Sequence, residues 1–305
     1  MGVKRKAAAA IIVLLLFLGS LWLQGRLDYH WDHCLKGYNQ INNLNQLSNS
    51  SDTSGSEGLG VLEPCPGQTF QVSVLLSHLL AAPTSTSDVL LQPYLSSWDE
   101  LVKFMDSLGP MFGLISTEIR TKTSIIRQLA VLSDQNREAE LGSDVHPVSM
   151  KTGIKNDAQA LQHSGAYRSV HSMIWVELDR GLVDFKQQTD SGCRTLLRLH
   201  RALLWLKLFL RKLAENPAAG QLKSPSDLCR EAYQHTLAQH HTWLVRRAAE
   251  LSFIALPDRG FFFRLVCVQN QEQLGKVLNR VVQAIGEVYD RTQQALEEND
   301  LLNLP

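Results

Sequence analysis

Apolar positions from about residue 68 onward recur with the spacing of helices, and no stretch alternates with the period of a strand. Phe70, Val74 and the leucines of the group Leu75–Leu80 carry a helical apolar face. Ser97-Trp98-Asp99-Glu100 has the form of a capping box and predicts a helix that Gly109 ends. Pro110 suits the first turn of the next helix, expected to run to about Ser133. A polar stretch near 136–156 reads as a loop, and further helices are predicted near 158–187, 191–213, 227–255 and 271–298. The pattern is that of an all-α protein with two layers of helices around one core.

The segment 191–213, SGCRTLLRLHRALLWLKLFLRKL, departs from a simple amphipathic helix. At about 100° per residue, Arg194, Arg198, Arg201 and Trp205 fall on one stripe roughly 60° wide. His200, Lys207 and Arg211 fall on a second stripe roughly opposite, with Leu and Phe between. A helix lying on a core needs one polar face, and this one has two. Either both are solvated and the helix spans two small cores, or one stripe points inward. An inward cationic stripe requires an anion, because unpaired buried charge is very costly.

The N-terminus reads differently. Lys4, Arg5 and Lys6 precede an apolar run from Ala7 to Leu23, the form of a secretory signal or signal-anchor. Residues 1–25 are assigned to that segment. With basic residues ahead of it, the rest of the chain is expected to face the lumen or exterior. Residues 26–66 form an Asn/Ser/Gly-rich linker, too polar to fold alone. It carries the sequon Asn49-Ser50-Ser51. Asp28, His30, Asp32, His33 and Cys34 are metal-binding types without a second half, so no metal site is assigned. Residues 67–305 are expected to form the functional domain.

Composition narrows the function. The 305 residues carry 30 basic and 30 acidic side chains; a net charge of zero argues against broad nucleic-acid binding. No nucleophile elbow, HExxH, P-loop or GxGxxG occurs, so no enzyme and no cofactor is expected. Among the five cysteines no CxxC appears. Cys193, Cys229 and Cys267 lie in helical patterns and read as small core residues, as in a cytosolic domain, which conflicts with the topology read from the N-terminus. Glu118 and Lys122 stand at i, i+4, the spacing of an exposed helical ion pair. His240-His241-Thr242-Trp243 precedes LVRRA, where a half-exposed His beside a core Trp is the plain expectation.

Residues 90–127, the segment SGCRTLLRLHRAL and the segment HTWLVRRA together resemble the glycolipid transfer protein family, and within it the ceramide-1-phosphate transfer branch. The similarity runs over about 68–305, with a longer loop near 136–164. The resemblance implies a two-layer all-α fold enclosing sphingolipid chains in an apolar pocket, with the headgroup at its mouth. By position, Lys122, Arg194 and Arg198 match phosphate-binding residues, and His241 matches the histidine that meets the ceramide amide carbonyl. Glu118 stands where the family carries an aspartate that accepts the amide N–H. Arg201 is expected to support the site by pairing with protein carboxylates, and the 200/207/211 stripe to be solvated. The implied function is intermembrane transfer of ceramide 1-phosphate or a related sphingolipid, with membrane surfaces as partners and no protein partner inferable. Trp205 or the run Phe261-Phe262-Phe263 could help docking, although at least two of the three Phe are expected in the core. The alternatives are an anchored sphingolipid sensor or tether and a helical interaction protein without lipid. The expected location is membrane-associated through the N-terminal segment, with the cytosol as the alternative.

Overall fold

A computed structural model describes residues 64–142, 165–216 and 222–305, with side chains to 135 in the first span. The signal-like segment, the linker as far as residue 63 and residues 143–164 of the predicted loop region lie outside the described residues. Among the described residues every regular element is helical, with only isolated bridges such as Leu90 to Ser169, and no helix is long and apolar enough to cross a membrane.

The helices are α1 (Val72–Ala81), α2 (Leu91–Ser107), α3 (Pro110–Gly142), α4 (Val170–Asp179), α5 (Gly192–Ala214), α6 (Pro225–His235), α7 (Trp243–Ile254), α8 (Arg259–Leu265) and α9 (Gln271–Glu298). Short 3₁₀ turns occupy Ala238–His240 and Leu301–Asn303. The Leu-rich α5 is the axis: it packs on α9, α6, α3 and α4, while α9 also reaches α1. One apolar core joins them all.

Several boundaries moved. Leu90, not Ser97, stands at the N-terminal boundary of α2, with no side-chain cap. Ser97 sits a turn and a half inside, buried, with its hydroxyl on the Tyr94 carbonyl, because Leu91, Tyr94 and Leu95 extend the buried face backward. Gly109, at φ 116°, breaks the chain between α2 and Pro110. Helix α3 runs past Ser133 to Gly142, into the stretch read as a loop. The span expected as one helix over 227–255 is divided, since Thr236 leaves helical geometry at φ −127°, ψ −72°. The short α8 went unpredicted.

The start of α5 is built by a buried carboxylate. Glu177 of α4 accepts the backbone N–H groups of Gly192 (2.6 Å) and Cys193 (2.8 Å). Ser191 caps the same end through the Arg194 N–H. The first amides of a helix lack partners and carry partial positive charge, so a carboxylate there satisfies and stabilises them. A Cβ on Gly192 would meet Met173 Sδ at 2.6 Å and Glu177 Oε1 at 2.8 Å, so only glycine admits this contact. The result fixes the end of the helix that bears Arg194.

Cys193 and Cys229 are buried free thiols, in keeping with the sequence reading. Cys267 is not a core residue. It lies between α8 and α9 at φ 55°, bonded to Cys65 with Cα atoms 5.7 Å apart. The partners are 202 residues apart, and no spacing pattern marks such a pair.

Candidate functional site

A cavity of about 600 Å³ opens between α3, the first half of α5, α6 and α7. All five residues singled out in the sequence line it: Glu118 and Lys122 from α3, Arg194 and Arg198 from α5, and His241 from the turn before α7. Apolar side chains such as Ile119, Leu197, Trp205 and Phe253 line the remainder.

Among the described residues no Asp or Glu side chain forms an ion pair with Arg194, Arg198 or Arg201. Arg194 is buried; its Nε donates to the main-chain oxygen of Pro305 and one terminal nitrogen to the Thr189 carbonyl at 3.0 Å. Arg201 does not find the carboxylate expected for it and donates instead to the Leu302 carbonyl at 2.8 Å. Burial, and then the Arg198 charge, pull the pKa of both Arg194 and Arg201 down. Arg198 thus opposes the charge of both its neighbours on the stripe, with Asp190 offsetting part of it at Arg194, and an anion at the mouth would relieve the remainder.

Lys122 and Glu118 form the expected ion pair, Nζ to Oε1 at 3.2 Å. The pair is lopsided. The Lys122 side chain is 15% exposed and that of Glu118 64%, so the ammonium sits in the mouth while the carboxylate stands at its rim.

His241 owes its place to the break after α6. Its Nδ1 lies 2.8 Å from the Tyr233 hydroxyl, and Tyr233 is itself held by an edge-on contact with Phe253 at 5.3 Å. Burial first, then the charges of His240 and Arg198, lower the His241 pKa, which favours the neutral ring. Burial pushes the Tyr233 phenol up to about 12, which keeps its proton. Tyr233, His240, Arg201 and Gln188 also line the cavity. Sequence reasoning did not place Tyr233, His240 or Gln188 there; Tyr233 lies eight residues before His241 and only the intervening turn joins them.

The opposite stripe of α5 is not the solvated face expected. His200 is buried, stacks on Tyr289 at 4.0 Å and meets Gln293 at 2.6 Å. Lys207 lies over the same Tyr289 ring, 5.1 Å from its centre, and pairs with Asp290. Lys207 is only partly exposed, while Arg211 is exposed. The reason is that α9 covers this stripe and supplies partners for it. Trp205 is buried as well, as is Phe262, while Phe261 and Phe263 are partly buried against the core. Trp243 is the most exposed aromatic among the described residues, ahead of Phe185 and Trp175, with Leu244, Leu251 and Ile254 of α7 also turned to solvent.

An all-helical body with an apolar cavity behind a cationic mouth has the form of a binding protein for an anionic amphiphile. Residues 89–268 match the glycolipid transfer protein (GLTP) family. The chain is 37% identical over 235 residues to the ceramide-1-phosphate transfer protein of Xenopus laevis, covering 76% of this chain and 94% of that one. It is 34% identical over 239 residues to the Homo sapiens protein of the same name, covering 77% and 97%. The crystal structure of human ceramide-1-phosphate transfer protein in complex with 2:0 ceramide-1-phosphate superimposes with a TM-score of 0.63 at 34% identity, over 77% of this chain and 99% of that one. The chain belongs to the glycolipid transfer protein family, and its two-layer helical fold is that family's fold.

Proposed function

We propose that this protein carries ceramide 1-phosphate between membranes, making and breaking no covalent bond. The observation that carries the proposal is the mouth of the cavity: Arg194, Arg198 and Lys122 face one opening, with no acidic side chain paired to the arginines. A phosphate monoester has close to two negative charges at neutral pH. Guanidinium forks and an ammonium are the groups suited to its oxygens. Lys122 leaves Glu118 for the phosphate, and the freed carboxylate accepts the ceramide amide N–H.

His241 takes the amide carbonyl. A neutral imidazole has one donor and one acceptor nitrogen. With Nδ1 accepting the Tyr233 O–H, the proton sits on Nε2, which then donates to the carbonyl. The hydrocarbon chains enter the Leu/Phe/Trp-lined interior. Docking falls to α7, where Trp243, Leu244 and Ile254 offer an apolar surface with Arg246 and Arg247 alongside for anionic lipid.

We assign residues 67–305, fastened by Cys65, to the lipid-transfer domain, with the signal-like 1–25 and the linker 26–66 ahead of it. The Cys65–Cys267 bond supports a domain that folds on the oxidising side of a membrane, since disulfides rarely persist in the cytosol.

The test is movement of fluorescent ceramide 1-phosphate between two vesicle populations, with a glycosylceramide and a phosphoglyceride in parallel. Arg198→Leu keeps a good helix former and removes charge-assisted hydrogen bonds worth about 1.5–3 kcal/mol, or roughly 10- to 150-fold in affinity. Transfer of ceramide 1-phosphate by Arg198→Leu at the parent rate would refute the headgroup assignment.

A further inference from the structure

The far end of α5 holds a second apolar space. Leu210 of α5 faces a narrow cleft lined also by Phe70, Phe104, Phe262 and Val266, with room of about 10 Å³. Leu210 lies 16 residues beyond Arg194, roughly 24 Å along the helix axis. The mouth cavity of about 600 Å³ matches a drug-sized ligand, and a two-chain lipid needs more. Chains longer than that cavity holds have the direction of α5 open to them, past the buried Leu206 and Phe209 toward this cleft, if those side chains give way.

The end of that path is closed by aromatic rings. Phe70 is buried and meets Phe104 edge-on at 5.4 Å. Phe104 faces Phe262 at 6.4 Å, and Phe262 faces Phe209 of α5 at 6.2 Å. Phe70 belongs to a turn knotted by one side chain: Gln71 accepts the Cys65 N–H at 2.7 Å and donates to the carbonyls of Cys65 (2.9 Å) and Gln68 (2.7 Å). The Cys65–Cys267 bond ties that turn to the residue after Val266. Both sides of the cleft's end, Phe70 and Val266, are thus joined covalently.

We propose that the Cys65–Cys267 disulfide fastens the 64–71 turn as a stop at the end of the lipid-chain path, and so limits the acyl length the protein carries. The proposal rests on the interior being the chain pocket argued above. With the bond intact, a long chain cannot push Phe70 away from Val266. With it open, the turn is held by the Gln71 hydrogen bonds, including its N–H to Glu100 Oε2 at 3.3 Å, by the Gln68 side chain on the Arg264 carbonyl at 3.5 Å and by the Phe70 contact, non-covalent ties that can yield to a chain that brings its own apolar surface.

The experiment uses the full-length protein, with the bond first verified by non-reducing peptide mapping. Vesicles carry ceramide 1-phosphates and phosphatidic acids with acyl chains from lauroyl to lignoceroyl, and captured lipids are identified by mass spectrometry. The oxidised protein is compared with its reduced form, with Cys267→Ser, and with Phe70→Ala in which the bond remains. The expected result is a several-fold rise in the ratio of longest to intermediate chains in all three, with the helical circular-dichroism signal retained. An unchanged ratio in reduced protein and Phe70→Ala overturns the proposal, as does finding both thiols free to alkylation in the native protein. Capture of phosphatidic acid with the same shift in length supports the stop and overturns the ceramide headgroup reading alone. Folded protein that captures no lipid in any form overturns both.

Discussion

Tyr233→Phe isolates the orienting hydrogen bond of the site. The phenol ring is buried and rests on Phe253 at 5.3 Å, so Phe keeps the packing and removes a single oxygen. The loss is the 2.8 Å hydrogen bond to His241 Nδ1. In the parent, that O–H selects the tautomer with its proton on Nε2, the one able to donate to an amide carbonyl. Without it the two neutral tautomers become close in energy, and Nδ1 is left half-buried without a partner. A neutral hydrogen bond of this kind is worth about 0.5–1.5 kcal/mol net, which converts to roughly 2- to 13-fold weaker lipid affinity. The assay is capture of ceramide 1-phosphate from vesicles at increasing protein, alongside ¹⁵N chemical shifts of the His241 ring. Expected are weaker capture, an unchanged preference for phosphate over sugar headgroups, and a shift of the ring signals toward a tautomer mixture. Parent-like affinity with parent-like ring shifts would refute the argument that Tyr233 orients His241.

Other outcomes rest on the same geometry. Glu118→Asp shortens the arm that reaches Lys122 at 3.2 Å and places at the mouth the aspartate that the sequence resemblance implies there; vesicle transfer should be retained or raised, and a large loss would mean that the pocket is shaped around the longer side chain. Trp243→Ala removes the most prominent exposed aromatic, 64% exposed; it should slow transfer and weaken vesicle sedimentation while leaving the urea midpoint unchanged. Stability should fall in acid because burial lowers the His200 pKa to about 4 from 6.5. The unfolded chain takes the proton first, so stability is full above pH 6.5 and declines toward pH 4 by about 3 kcal/mol; urea titrations across that window should show a smaller decline for His200→Phe, which keeps the stack on Tyr289. Gly192→Ala would press on Glu177 and Met173, displace the start of α5, and cost both stability and phosphate binding, seen as a lower thermal midpoint together with reduced capture.

Much of the site is local and was therefore readable. Arg194 and Arg198 converge because a helix brings i and i+4 to one face, and Glu118 meets Lys122 for the same reason. Those relations need only a helix, and the apolar period supplies one. His241 was readable only through the family resemblance, because the break that turns it into the cavity has neither Gly nor Pro to announce it. Thr236 leaves helical geometry where α6 ends against the core, and α7 starts afresh at Trp243.

By itself, the sequence determined that the chain is all-α, that α5 bears two polar stripes, and that a cationic one needs an anion. Each follows from periodicity and the cost of buried charge. Tertiary structure decided which stripe meets the cavity, because α9 covers the other with Tyr289, Gln293 and Asp290. It decided that Arg201 ends on a carbonyl, that Trp205 is core and Trp243 surface, and that Cys65 finds Cys267 across 202 residues. Those outcomes depend on which distant segments lie side by side, and residue spacing along one helix carries no information about that.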